Sequence, residues 1–491
     1  MKKTLTSIYA ALCCICATGQ VSHSLYFMES VPQTTMLNPA RQPRANKYIA
    51  VPGANVYMAT STNLRPLDFF QKSGDEWLSP LNKEFDYSDL YDSYKKRIAV
   101  DASASVSLLN FGWRTSNGNY LTFSLNERIS ADVSLPSDLL KIGDKGLPNG
   151  TLLDLAHLGV SAMAYTELGA SYSYVFDDRW TFGARVKLLA GTAAVRTKNE
   201  KLSIETGEEK WHVKTDFEIM TSLPLETDGC IKEDGTVEFD SVDVRDFDDD
   251  KDLIKYLIPR LSNPGFGIDL GASYKYSDNF TFSASVTDLG MISWGRDVNN
   301  FKSKREFDFD GIDYNLDNEE HKDDFQNAVD DALDSVKTNC DITLNHKRFA
   351  TGLRPSVFLA AEYTPIYFLR LGLLSHTKFH PSHRVNQDFC LSATLNPYKL
   401  PASATFGYAI NTLGQSSASA GISIRIGVMQ VYAMVDYVPL KYNVYKTEDS
   451  DEIPVPHNVS NINASVGVNF LFGSKGYRDR PMTRTNSKIA E

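Results

Sequence analysis

Phe266-Gly267-Ile268-Asp269-Leu270-Gly271-Ala272-Ser273-Tyr274-Lys275-Tyr276 alternates without a slip. Phe266, Ile268, Leu270, Ala272, Tyr274 and Tyr276 share one parity, and Gly267, Asp269, Gly271, Ser273 and Lys275 share the other. Successive side chains of a β-strand point to opposite faces, so this stretch has one apolar and one polar face. Only Ser277-Asp278-Asn279 follows before Phe280, Phe282, Ala284 and Val286 begin to alternate with Thr281, Ser283 and Ser285. So short a spacer reads as a tight hairpin.

The same pattern runs through the chain. Ile98 to Leu108, Leu168 to Phe176, Trp180 to Leu188, Ala418 to Val428 and Ile462 to Phe472 each keep apolar residues on alternate positions. Leu168-Gly169-Ala170-Ser171-Tyr172 recurs as Leu270-Gly271-Ala272-Ser273-Tyr274. Each copy leads through an acidic turn to an aromatic-Thr-Phe start, a hairpin used twice and not a sustained repeat. About fourteen such strands fit, starting near residues 48, 97, 119, 164, 180, 266, 280, 354, 367, 387, 402, 416, 429 and 461. Linkers after even-numbered strands are short. Most after odd-numbered strands are long: 62–96, 135–163, 197–265, 291–353 and 438–460. Short turns at one end and long loops at the other are the asymmetry of an outer-membrane β-barrel. An even strand count leaves both chain ends on the periplasmic side.

A soluble β-sandwich also alternates. Strands of ten or more residues with aromatics near their ends favour a tilted membrane crossing. Mean hydropathy is -0.28 over 491 residues, which argues against a bundle of membrane helices and suits a barrel with alternating faces. A net charge of -11 argues against nucleic acid as a partner. Lys2 and Lys3 before an apolar run from Leu5 to Ala17 read as a signal peptide, with cleavage after Gly19. The expected organisation is therefore a signal peptide at 1–19, a plug at 20–47, the barrel at 48–473 and a basic periplasmic tail at 474–491. The expected fold class is all-β: a transmembrane antiparallel barrel with a luminal N-terminal hatch and long extracellular loops containing short helices. Of the cysteines, Cys230, Cys340 and Cys390 survive cleavage. Pairing of Cys230 with Cys340 and three free thiols both remain open.

Leu37-Asn38-Pro39-Ala40 followed by Arg41, Arg44 and Lys47 resembles the start of the long-chain fatty-acid transporter barrels, the FadL-like family. It is also similar to Bacteroidota barrels such as the type IX secretion component PorV, and most to a Bacteroidota group with the same start. That resemblance implies that Asn38, Pro39 and Ala40 belong to a hatch inside the lumen. It also implies passive uptake of a hydrophobic small molecule across the outer membrane of a Gram-negative cell. The alternative is a PorV-like accessory or surface protein that binds partners through its loops. Neither is an enzyme. Outer-membrane lipid and the barrel-assembly machinery are the other implied partners, and no cofactor is called for. The aromatic close at Phe472 resembles the signal that machinery reads, although the tail beyond it departs from the pattern.

Parity places a set of charges on the polar face: Arg128, Glu167, Arg185, Lys187, Asp269, Glu362, Arg370, Arg425 and Asp436. Both signs are present, so a paired network around a plug is expected more than a single-sign filter. Glu127 falls on the apolar parity, where only a bulge would excuse it. Two acidic segments, 225–252 and 306–324, read as solvated loops; Asp308-x-Asp310-Gly311 lacks the remaining ligands of a calcium loop. Phe325, Val329, Leu333 and Val336 recur at helical spacing, and Leu152 to Met163 reads as a second short helix. His376, His380 and His383 fall in an expected loop with no metal role. No nucleophile elbow, zinc-protease helix or phosphate loop is present.

Overall fold

Alternation at this length leaves every strand with backbone donors and acceptors along both edges, and the chain satisfies them by closing on itself. In the computed structural model the barrel strands are β1 (Lys47–Ala50 and Asn55–Thr62), β2 (Arg97–Arg114), β3 (Tyr120–Pro136), β4 (Gly159–Val175) and β5 (Trp180–Glu205). There follow β6 (Pro264–Lys275), β7 (Phe280–Trp294), β8 (Phe349–Gly352 and Ser356–Ile366), β9 (Leu369–Phe379) and β10 (Val385–Leu395). The last are β11 (Ala402–Asn411), β12 (Ser416–Ile426), β13 (Met429–Pro439) and β14 (Asn461–Phe472). Each pairs antiparallel with its sequence neighbours, and β1 closes the ring on β14 through Val56↔Val466 and Tyr48↔Leu471. The fold is a closed fourteen-stranded antiparallel membrane barrel. Residues 23–473 are described apart from 74–75, 79–84, 95–96, 142–147, 228, 239–240, 246–261, 310–338, 381–384, 398–399, 413–414, 441, 447–451 and 457–460. The residues read above as a signal peptide, as a basic tail and as a helix over 320–338, and His383, lie outside those residues.

The parity rows face where a barrel requires. Phe266, Leu188, Leu391 and Phe406 stand outward and exposed, whereas Asp269, Ser283, Thr405 and Asn469 are buried inside. Placing a charge on the outer belt is costly. Leu188→Arg, on the outward row of β5, is expected to destabilise the barrel by ~2–4 kcal/mol in a denaturant titration in lipid vesicles. A loss within error would mean that this face does not meet lipid.

Several strands outgrow the membrane. At 26 residues, β5 continues beyond the long-loop end, where Trp211–Ser222 pairs with it and with Val298–Phe309. This extension overturns one expected helix. Leu152–Asp154 is a strand on β5, with Leu152↔Glu205, and β4 begins at Gly159. The overhanging edge of β5 offers open hydrogen-bonding groups that an extended segment satisfies and a helix would not. Loop helices occur elsewhere: Tyr87–Ser93 is capped by Asp86, whose carboxylate accepts from the Ser88 amide at 2.8 Å. His376 sits in β9, not in a loop, because the alternation continues through Leu374, His376 and Lys378, all buried. Glu127 lies on the outer face beside a bulge in β2 at Ser107–Leu109, and the Thr166 hydroxyl donates to it at 2.7 Å. Cys230 and Cys340 are free thiols in one apolar cluster with Val237, Phe301 and Ile342, and burial pushes the Cys340 thiol up to about 11.

Candidate functional site

Inside the barrel lies the chain's own N-terminal segment. A turn of helix, His23–Tyr26, is followed by a 3-10 turn, Pro32–Met36, and nearly every residue from His23 to Arg41 is buried or half-buried. Its contacts are with inward side chains from many strands. Gln33 and Asn469 exchange hydrogen bonds at 2.8 and 3.0 Å, and Gln430 donates to the Ser30 carbonyl at 2.7 Å. Tyr26 and Phe27 pack with Phe358 and Leu374; Leu25, Met28 and Val31 pack with Tyr432 and Met434.

Asn38, Pro39 and Ala40 sit against β5, β6 and β7. The Asn38 amide donates to Tyr26 Oη at 3.1 Å, and its own carbonyl oxygen accepts from the Ala40 amide at 2.9 Å, closing a local turn. Ser285 donates to the Leu37 carbonyl at 2.7 Å. The wall admits this backbone because Gly183 and Gly271 are cross-strand partners. A Cβ on Gly183 would stand 2.1 Å from Pro39 C, and one on Gly271 would stand 2.1 Å from Asn38 Oδ1.

The predicted charges fall into separate groups. Arg128, Glu167, Lys187 and Asp269 converge with Asp288. Lys187 Nζ is 2.7 Å from Asp269 and 2.6 Å from Asp288; Arg128 bonds Glu167 at 2.7 Å and Asp288 at 2.9 Å. Arg185 is the cross-strand partner of Asp269, so three cations face three carboxylates and the layer is neutral. A second group joins plug to wall. Arg41 makes a two-pronged pair with Glu362, Arg370 bridges Glu362 at 3.2 Å and Glu29 at 2.9 Å, and Arg44 reaches Glu29 at 3.3 Å. Arg41 also stacks over Tyr26 at 4.8 Å. Asp436 stands apart from both, accepting from the Ser24 hydroxyl at 2.5 Å. Arg425 is at the short-turn rim, donating to the carbonyls of Gly427 and Leu471.

Other buried groups were not singled out by parity. Asp101 is paired with Arg354 and lies 2.7 Å from Lys378, with His380 at 3.6 Å. Asp101 and Asp132 do lie on polar parity, and extending the rows through them would have found both. Asp288 was not legible that way. Its φ of 59° sits in a bulge against β6, which turns consecutive residues Thr287 and Asp288 inward.

That bulge also interrupts the wall. Thr287↔Ser356 and Met291↔Gly352 are ladder pairs; between them Asp288–Gly290 and Leu353–Pro355 form no ladder pair among the described residues, and the Leu353 amide donates to the Gly290 carbonyl. Behind the interruption lie Met163, Tyr165, Leu189, Ile292, Trp294, Val298, Phe349 and Leu353 in one apolar cluster. A cavity of about 20 Å³, with Met163, Tyr165, Arg128, Asp288 and Arg354 among its lining residues, adjoins it.

A family model described as "Family of unknown function (DUF5723)" matches residues 39–436. No curated protein sequence matches the chain. Solved structures with similar folds include the Ralstonia pickettii toluene transporter TbuX, at 10% identity over 93% of this chain and 97% of that one, TM-score 0.40. A Pseudomonas aeruginosa FadL homologue is 12% identical over 92% and 96%, TM-score 0.42. The Pseudomonas putida toluene transporter TodX is 10% identical over 93% and 97%, TM-score 0.40.

Proposed function

The chain belongs to DUF5723, a family of unknown function, and from that premise we propose that it is an outer-membrane barrel for passive uptake of a hydrophobic small molecule. The long-loop end faces outward in this reading and the short turns face the periplasm. The observation that carries it is the juxtaposition at Asp288–Gly290. There the ladder is interrupted, and an apolar cluster within the wall stands directly behind the interruption. A hydrophobic molecule arriving from the loop end would partition into that cluster and leave sideways or downward once the N-terminal segment shifts. The cavity beside the cluster has room for about one water, so in this reading uptake needs side chains around it to move as well as the N-terminal segment.

Purified protein in liposomes should take up a fluorescent fatty acid or an aromatic hydrocarbon saturably. Met163→Gln keeps the side-chain length but makes the cluster polar, and should lower that uptake roughly tenfold. Equal uptake by both proteins, or none by the wild type, would sink the proposal.

A further inference from the structure

The N-terminal segment meets the wall at one place where the chemistry is that of a metal site. His23 comes from the segment, His376 from β9 and Asp388 from β10, and all three are buried. One potential ligand atom from each lies within 4.8 Å of the others. His23 Nε2 is 4.0 Å and His376 Nδ1 3.6 Å from the same Asp388 oxygen, Oδ2. Tyr437 Oη stands 2.9 Å from that oxygen and 3.2 Å from His23 Nε2. Tyr437 reaches the lumen because its φ of 63° falls in a second bulge, which turns Asp436 and Tyr437 inward together.

Two further observations point to a cation. Neither ring nitrogen of His376 makes a hydrogen bond, nor does His23 Nδ1 or Asp436 Oδ2, although all are buried. Buried polar groups are ordinarily satisfied. The charge is also unbalanced. Among the described residues, the ion pairs of Asp388 are with histidines alone, and Asp436 has none. The other buried triad, Asp101, Asp132 and His380, differs in this respect, because Arg354 and Lys378 already neutralise Asp101. An uncompensated buried carboxylate is costly, and a divalent ion held by Asp388 would compensate it.

We propose that His23, His376 and Asp388 bind a zinc-class divalent transition ion, with Tyr437 Oη or a water as fourth donor, and that the ion staples the N-terminal segment to β9 and β10. Two imidazoles and a carboxylate suit zinc rather than calcium or magnesium. Tetrahedral zinc with bonds of ~2.0–2.1 Å needs ligand atoms about 3.3 Å apart. The observed separations therefore require only small side-chain movements.

The test uses full-length protein in detergent, stripped with a chelator and titrated with cobalt(II) as the spectroscopic probe, then with zinc in competition. One equivalent should give the intense visible bands of tetrahedral cobalt and be displaced by zinc. Asp388→Asn and His376→Ala should each weaken binding by at least about tenfold, as loss of a ligand or its support does. His380→Ala, in the other triad, should leave it unchanged. His23→Ala removes the ligand contributed by the segment without touching the wall, so it reads the site even if a wall variant fails to fold. No saturable binding by the wild type, or binding that His23→Ala leaves intact, overturns the proposal.

Discussion

Lys187→Met should cost the barrel ~3–5 kcal/mol, the usual penalty for removing one partner from a buried ion network. The ammonium is almost wholly buried and lies within 4 Å of Glu167, Asp269 and Asp288. Methionine fills most of the volume but leaves three carboxylates facing Arg128 and Arg185. Asp269 suffers most: among the described residues Lys187 is the cation in ion-pair range of it, whereas Asp288 and Glu167 keep Arg128. Removing a carboxylate at the same time should restore part of the loss, so Lys187→Met with Asp288→Asn should be more stable than Lys187→Met alone. Urea titrations of the barrel in lipid vesicles, with the single and double variants side by side, make the measurement. A single-variant loss under about 1 kcal/mol would match a solvent-screened pair and would mean that water fills this layer.

What alternation encodes is the wall, and the wall was legible. The rows beginning at Ile98, Trp180 and Phe266 lead to β2, β5 and β6, because a strand with one face in lipid has no freedom to slip by one residue. Parity also carried Asp269, Lys187 and Glu362 to the inner face. It failed wherever a bulge inserts a residue. Asp288 and Tyr437 both have positive φ and both turn inward beside an inward neighbour, so a two-residue count assigns them to the wrong face. His376 was hidden differently, since polar residues at the end of β9 made a strand look like a loop. The course of residues 23–46 could not be derived from periodicity, because it is set by contacts hundreds of residues away, such as Gln33 with Asn469. The glycines at 183 and 271 looked like ordinary polar-face positions. Their meaning appears only once register places them side by side beneath Asn38 and Pro39.

Those two glycines support the second large expected effect. Gly183→Ala and Gly271→Ala together should dislodge the N-terminal segment while leaving the wall folded. Each added methyl would approach an atom of the Asn38–Ala40 stretch to about 2.1 Å, far inside contact distance, and at Gly183 that atom is backbone. Overpacking of this kind costs ~1–3 kcal/mol per site. Both methyls point into the lumen, so the β5–β6 ladder itself loses nothing; the strain is relieved by lifting the segment away. Elsewhere the segment is held by hydrogen bonds, by Arg41 with Glu362 and by apolar packing of Tyr26, Phe27 and Met28 against the wall, so the lifting starts at the Asn38–Ala40 stretch, where both methyls intrude. The double variant should therefore show a rise in planar-bilayer conductance on the order of tenfold, since a fourteen-stranded barrel without its filling has an aqueous interior. Protease should also cut between residues 23 and 46 faster than in the wild type. Gly352→Ala is the control, because the nearest atom to its added methyl is 4.0 Å away and the position can accept it. If conductance and cleavage in the double variant match those of Gly352→Ala, the segment is not seated on the glycine pair, and its contact with the wall at Asn38 and Pro39 is incidental to keeping the barrel shut.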